Sequence, residues 1–341
     1  MKSGADTYMF KAAALVPALL LCALSAPPPS GGAGFDSSSV GTASGQFLKI
    51  AVGARGAAMG EAYSALADDA FALDWNPAGL IHIKKNSMAL MHSPYLAGSY
   101  VDYFAYAETA GDVGSWGLAF KYMNYGKLDK TNSSGMDVGS FAPSDMSINV
   151  GFACYITGFN KDPEERFVLG ATGKFVKSKI ISDDNTVSAD IGVNMPYMFE
   201  NRFRMTMTAQ NIMGSLRYDK EEAPLPLILR LGTLTKLGSY FNLTGDIVAA
   251  RDALPFLAMG GELNIPVREE MNVALRAGFN TRAIGDMGGA RNVAVGGGLR
   301  YGNYLLDYAF SPFGDLGSVH RISASITFAG PERAPPPRNW R

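Results

Sequence analysis

SVHRISASITF, residues 318 to 328, decides the fold. His320, Ile322, Ala324, Ile326 and Phe328 fall on one side of an extended chain, and Val319, Arg321, Ser323, Ser325 and Thr327 on the other. Strict alternation over this length describes a strand with one apolar face and one mixed face. The pattern recurs upstream. In Met271 to Asn280, Met271, Val273, Leu275, Ala277 and Phe279 oppose Asn272, Ala274, Arg276, Gly278 and Asn280. Phe203, Met205, Met207 and Ala209 oppose Arg202, Arg204, Thr206, Thr208 and Gln210, and Trp116, Leu118, Phe120 and Tyr122 share a face away from Lys121.

About fourteen such segments run from residue 86 to residue 328, an even number of the kind single-chain bacterial outer-membrane barrels show. The connections give a second test. AGDVG (110–114), GFNKDPEE (158–165), MFEN (198–201), GS (238–239), PVREE (266–270) and GN (302–303) are short, whereas the alternate connections, 125–143, 212–224 and 281–290 among them, are mostly longer, RDAL (251–254) being the exception. A barrel with both termini in the periplasm predicts that phase. Aromatics near strand ends, among them Tyr95, Tyr100, Tyr122, Tyr125, Tyr197, Phe199, Tyr240, Tyr301, Tyr304 and Phe310, are expected at the membrane–water interfaces. The predicted fold class is all-β: a transmembrane antiparallel β-barrel of about 14 strands.

Bulk composition agrees. The 341 residues carry a net charge of −1, with 39 glycines, 18% charged and 11% aromatic residues. A near-neutral chain lacks the basic footprint of a nucleic-acid binder. Mean hydropathy lies close to zero, the middle value of a barrel in which only alternate residues meet lipid. Residues 1–25 read as an export signal: Lys2 and Lys11, an apolar core from Ala12 to Ala23, and a small-residue cleavage site near Ser25. After cleavage Cys154 is the one cysteine left, so no disulfide framework is expected. Residues 26–46 form a Pro/Gly/Ser-rich flexible leader, residues 47–85 a separate N-terminal segment, and residues 329–341 a periplasmic tail. Within 47–85, Phe47 to Val52 reads as a short strand and Gly56 to Leu66 as a helix. The expected location is the outer membrane of a Gram-negative-type envelope.

Residues 53–80, GARGAAMGEAYSALADDAFALDWNPAGL, resemble the N-terminal signature of the PorV/PorQ family of outer-membrane proteins. That family is of the long-chain fatty-acid transporter barrel type. The resemblance rests on Gly53-Ala54-Arg55, Met59-Gly60, Ala62-Tyr63, Ala67-Asp68-Asp69-Ala70 and Asn76-Pro77-Ala78-Gly79. It implies a fourteen-stranded barrel whose N-terminal segment folds inward as a plug. In that setting Asp68 or Asp69 would cap backbone donors, Asn76-Pro77 would form a tight turn and Gly79 would permit a positive φ. Trp75 and Leu80 would pack plug against wall. The passage is thus expected to be architectural, turning the plug into the first strand.

Chemistry is sparse. The three histidines are scattered, Asp68, Asp69 and Asp74 lack EF-hand spacing, and GGGL (296–299) lies within a strand, where it marks a bend or a close backbone approach. No catalytic site, metal site or cofactor is expected. On the inner faces the alternation places Lys121, Lys174, Arg202, Arg204, Arg230, Arg276, Arg300 and Arg321, with Asp246, Glu262 and Asp307. The favoured role for them is a set of salt bridges holding barrel and plug together; the alternative is a polar conduit suited to a carboxylate headgroup. Two functions follow from the resemblance: a cargo-binding or shuttle component of a type IX-like protein secretion system, or a passive transporter for long-chain fatty acids or other hydrophobic small molecules. Expected partners are outer-membrane lipid, then secreted cargo and secretion-machine components or hydrophobic small molecules, and no nucleic acid.

Overall fold

The computed structural model describes residues 35, 37–156, 165–218, 220–282 and 292–328. The signal, most of the leader, the tail and the greater parts of the connections at 158–165 and 281–290 lie outside the described residues.

The strands are β1 (Asn86–Pro94), β2 (Tyr100–Thr109), β3 (Ser115–Asn124), β4 (Leu128–Thr131), β5 (Asp137–Phe141), β6 (Ser144–Tyr155), β7 (Val168–Lys179), β8 (Asp183–Asn194), β9 (Phe203–Gln210), β10 (Ser215–Tyr218), β11 (Glu221–Pro224), β12 (Ile228–Leu237), β13 (Phe241–Ala250), β14 (Phe256–Arg268), β15 (Met271–Asn280), β16 (Val293–Tyr301), β17 (Tyr304–Pro312) and β18 (Ser318–Phe328). Fourteen of them close into one antiparallel barrel, while β4–β5 and β10–β11 form separate hairpins. The ring shuts where β1 pairs with β18, with Asn86 opposite Phe328. The chain therefore enters and leaves the wall at the same end, the periplasmic end in the orientation outer-membrane barrels take.

Alternation governs burial along most of the wall, and is lost where strands such as β14 run out beyond the filled lumen, Ile265–Arg268 being exposed on both faces. On β6, Ser147, Asn149 and Gly151 face in, and Ile148, Val150 and Phe152 face out and are exposed. The exposed apolar side chains Leu90, Leu118, Phe120, Val150, Leu257, Leu275, Val295, Leu306 and Ile322 form the lipid-facing surface. Cys154 shares that face and is half-buried. Tyr240, Tyr301, Tyr304 and Phe199 stand exposed near strand ends. Tyr95, Tyr125 and Tyr197 do not join such a girdle; they pack inward against the core.

The core sits inside the barrel and is built by residues 43–83. Phe47, Val52, Met59, Tyr63, Leu73, Leu80 and Ile81 are almost fully buried. Ala43 and Ser44, in the stretch whose composition reads as leader, are buried as well. Phe47–Val52 is not a strand: Gln46–Lys49 forms a turn of 3-10 helix. A lone extended segment there finds no ladder partner, because the wall strands already pair with one another around the ring. The helix expected over Gly56–Leu66 is confined to Ala54–Ala58, and the chain then breaks at Gly60 and Glu61, with φ of 64° and 72°. Apolar residues continue past the break because the segment is enclosed on all sides, so their spacing reports burial rather than a helical face.

Candidate functional site

The plug and its seat are the site that the sequence singled out. At its centre, Trp75 ends the short helix Ala72–Trp75, donating from Nε1 to the Val52 carbonyl at 2.9 Å and meeting Tyr63 edge-on at 5.6 Å. The Arg230 guanidinium, from the wall, lies 5.1 Å over the Trp75 ring. Asn76 is fully buried and makes three bonds. Its Oδ1 accepts from the Ala78 amide at 3.1 Å and so caps the 3-10 helix Pro77–His82, while its Nδ2 donates to the Ser64 carbonyl and to Asn194 Oδ1. Pro77 occupies the first helical position, where no amide donor is needed. Gly79 does not have a positive φ. It is small because a Cβ there would come 2.5 Å from the Ala67 carbonyl oxygen. Asn76→Ala is expected to cost about 2–4 kcal/mol, since it leaves buried partners unsatisfied. Asn76→Asp, which keeps the cap but loses the donor, should also destabilise. Thermal melting of both variants checks this, and a neutral Asn76→Asp would sink the donor argument.

Asp69 forms the aspartate turn: its Oδ1 accepts from the Phe71 amide and its Oδ2 from the Tyr63 hydroxyl at 2.9 Å. Asp68 instead pairs with Arg55 at 2.6 Å. Burial pushes the Asp69 carboxyl up to about 6, against the pull of Arg55 and with the help of Asp68. The native state then binds a proton that the unfolded chain releases near 4, so this group favours folding below about 4 and loses that contribution as pH rises through about 6. Wild type minus Asp69→Asn is expected to show this slope in urea melts between pH 4 and 7. Equal slopes in the two proteins would remove the assignment.

The wall charges meet the plug in pairs. Glu262 on β14 accepts from Arg55 at 2.7 Å and from Arg276 Nε at 2.7 Å, and Arg276 reaches Asp307 at 2.6 Å. Arg230 pairs with Asp246 at 3.0 Å and donates to the Glu61 carbonyl; Asp246 in turn accepts from the Ser64 amide. Lys121 pairs with Asp74 at 2.9 Å and donates to the Ile50 carbonyl. Lys174 pairs with Asp190 at 2.7 Å. Arg204 donates to the Ala65 carbonyl and contacts His82. Arg300 faces inward but is exposed at the periplasmic mouth, beside a cavity of about 390 Å³ that Arg55, Asp68, Asp69 and Arg276 also line. Arg321 is buried on β18. Arg202 is not lumenal: it precedes β9 in a turn of positive-φ residues, Phe199 to Asn201, and its side chain is 68% exposed beside Glu200. The alternation that placed it inward runs past the end of the ladder there.

Apart from GGGL (296–299), for which a bend or close backbone approach was expected, sequence reading missed the inner glycines. A Cβ on Gly151 would lie 2.6 Å from Leu73 Cδ2, on Gly260 2.6 Å from the Met59 carbonyl oxygen and on Gly296 2.6 Å from Ala58 Cβ. At Gly170 it would overlap the Ala78 amide nitrogen and the Pro77 carbonyl carbon, and at Gly278 the Gly60 amide nitrogen. Gly170 opposes Gly192, and Gly260 opposes Gly278, across their ladders. Gly170, Gly260 and Gly278 seat the plug by letting backbone approach backbone, and Gly151 and Gly296 make room for its side chains. The signal was available: each sits on the inner face by the same parity that placed Lys121, Arg230 and Arg276.

Over the end opposite the termini, the wall is less regular. β9 stops at Gln210 and pairs with β8 over only Ile191–Asn194, after which Asn211 turns with φ 54°. The chain then forms the hairpin β10–β11, whose Leu216 is fully buried and whose Pro224 carbonyl accepts from the Ser44 amide at 2.8 Å. This hairpin lies over the start of the plug. The β4–β5 hairpin is exposed along nearly its whole length.

A closed fourteen-stranded barrel with apolar outer face and inward N-terminal segment defines an outer-membrane β-barrel protein. Its fold is similar to that of a Pseudomonas aeruginosa FadL homologue (TM-score 0.53, 10% identity, 81% of this chain and 98% of that one). It is equally similar to that of the Ralstonia pickettii toluene transporter TbuX (TM-score 0.53, 11% identity, 82% and 98%). No curated protein matches in sequence. The profile described as type IX secretion system protein PorV matches residues 35–244, and the chain belongs to the PorV family.

Proposed function

We propose that this protein is a cargo-binding or shuttle component of a type IX-like secretion system, acting by binding and not by catalysis. The observation that carries the reading is membership of the PorV family over residues 35–244. The site supports it in two ways. Residues 43–83 fill the lumen and are tied to the wall by the buried pairs Arg55–Glu262 and Lys121–Asp74 and by the Arg230 bond to the Glu61 carbonyl, so a small-molecule passage would have to break them. The surface outside the membrane instead offers apolar side chains to a partner: Leu128, Met136 and Val138 on or beside the β4–β5 hairpin, and Ile181 at the β7–β8 turn, are all exposed.

The test is recovery of tagged, detergent-solubilised protein from its native envelope, with mass spectrometry of proteins and lipids. Secreted proteins sharing a C-terminal domain should co-purify with the wild type, and should be lost when residues 128–141 are replaced by a short turn. Recovery of a stoichiometric fatty acid or hydrocarbon with no such proteins would instead establish the transporter reading.

A further inference from the structure

The lipid-facing surface is not equally tall all round the barrel. On β6 the outward positions from Met146 to Ile156 carry no charged or amide side chain, and on β15 the same holds from Met271 to Phe279. Rising about 3.4 Å per residue at a tilt of about 40°, these stretches reach heights of about 26 and 21 Å, close to the roughly 25 Å apolar band of such barrels.

The face of β1 and β2, beside the closing seam, is shorter. His92 and Asp102 stand opposite each other on it, Nδ1 to Oδ1 2.6 Å, with side chains 59% and 44% exposed. Further down β2, Glu108 points the same way and accepts from the Tyr106 hydroxyl at 2.8 Å. Phe104 and Tyr106 are the outward residues between the two acids, with Leu90 and Met88 beside them on β1. By the same arithmetic Asp102 and Glu108 are separated by about 16 Å of height. Aromatic rings mark the same two levels. Tyr100 lies 5.9 Å from His92 and 6.3 Å from Tyr122, whereas Tyr106 lies 5.6 Å from Trp116 and 6.2 Å from Phe328. Amphipathic rings gather at membrane–water interfaces, so the rings and the charges independently place two interfaces on this face about 16 Å apart.

We propose that the β1–β2 face thins the outer membrane beside the seam, as a surface that fits a short span of lipid. A bilayer of full thickness would put either the His92–Asp102 pair or Glu108 into hydrocarbon, where an ionised side chain is costly. A short apolar span is met by thinning of the bilayer around it. Tilting the barrel would raise or lower both levels of this face together and leave their separation unchanged. The proposal needs only the membrane setting of the barrel and is independent of the secretion reading.

The experiment is a spin-label depth measurement on the exported full-length protein in vesicles of dioleoyl phosphatidylcholine. The nitroxide is placed at Leu90→Cys or at Val150→Cys in a Cys154→Ser background, and depth is read from the ratio of oxygen to nickel-chelate collision rates. Both positions face outward and are exposed. Leu90 adjoins Phe104, close below Asp102, whereas Val150 lies two outward positions below Met146. The Leu90 label should therefore sit about 5 Å shallower than the Val150 label. His92→Leu combined with Asp102→Leu should deepen the Leu90 label by about the same amount and leave the Val150 label where it was. The comparison of the two labels uses the native pair, so it stands even if the double variant fails to fold. Equal depths for the two labels, or an unmoved Leu90 label in the double variant, would overturn the proposal. So would a Leu90 label shielded from both oxygen and nickel, which would mean that a second copy covers this face.

Discussion

Replacing Gly170 by leucine should expel the plug from the barrel while leaving the wall assembled. The new side chain would point inward on β7, into the space of the Pro77–Ala78 peptide. Overpacking a well-filled core typically costs about 1–3 kcal/mol through shifted side chains, and here the obstacle is backbone held by the Asn76 cap, so the cost should reach or exceed the top of that range. The wall has its own ladder on both sides of β7, twelve residue pairs with β6 and twelve with β8, and does not depend on the plug for pairing. The expected result is a heat-modifiable barrel in which trypsin cuts after Arg55, a residue only 12% exposed in the wild type, with a matching rise in planar-bilayer conductance. Gly278→Leu should act alike from the opposite side of the lumen, against the Met59–Gly60 peptide. Full protection of Arg55 in both variants would show that the plug is not seated through these glycines.

Glu262→Gln is expected to have the second largest effect. Its carboxylate is fully buried and accepts from Arg55 Nε and Nη2, from Arg276 Nε, and from Asn242 and Asn264. Breaking a buried pair by neutralising one partner costs about 3–5 kcal/mol, because the remaining charge stays buried. Two guanidiniums lose a counterion here, but Asp68 and Asp307 remain for them, which places the expected loss near about 3 kcal/mol. Urea unfolding in detergent measures it. Arg55→Leu in the Glu262→Leu background should cost less than the sum of the two single changes, as contacting residues couple. A loss under about 1 kcal/mol for Glu262→Gln would mean that the network is solvated rather than buried.

Much of this architecture was legible because period-two alternation is a local property. Each wall strand shows its inner and outer face within ten residues, and the parity of Lys121, Arg230, Glu262, Arg276 and Asp307 follows without knowledge of neighbours. The plug was legible only as a signature. Its one expected helix was overextended and its first turn was read as a strand, because a segment enclosed on every side has no polar face to set a period. Arg202 was misplaced for a related reason: parity says which way a residue points, but not where the ladder ends.

The sequence alone determined the barrel, its strand number, the end at which the termini meet, and the composition of each face. Those are dictated by backbone pairing and by the contrast between lipid and lumen, both read residue by residue. The tertiary structure decided which charge meets which, why glycine stands on the inner wall at Gly170 and Gly278, and why Gly79 is a glycine at all. Each of these depends on atoms brought together from positions up to some two hundred residues apart, as Arg55 and Glu262 are, and no local pattern encodes such a distance.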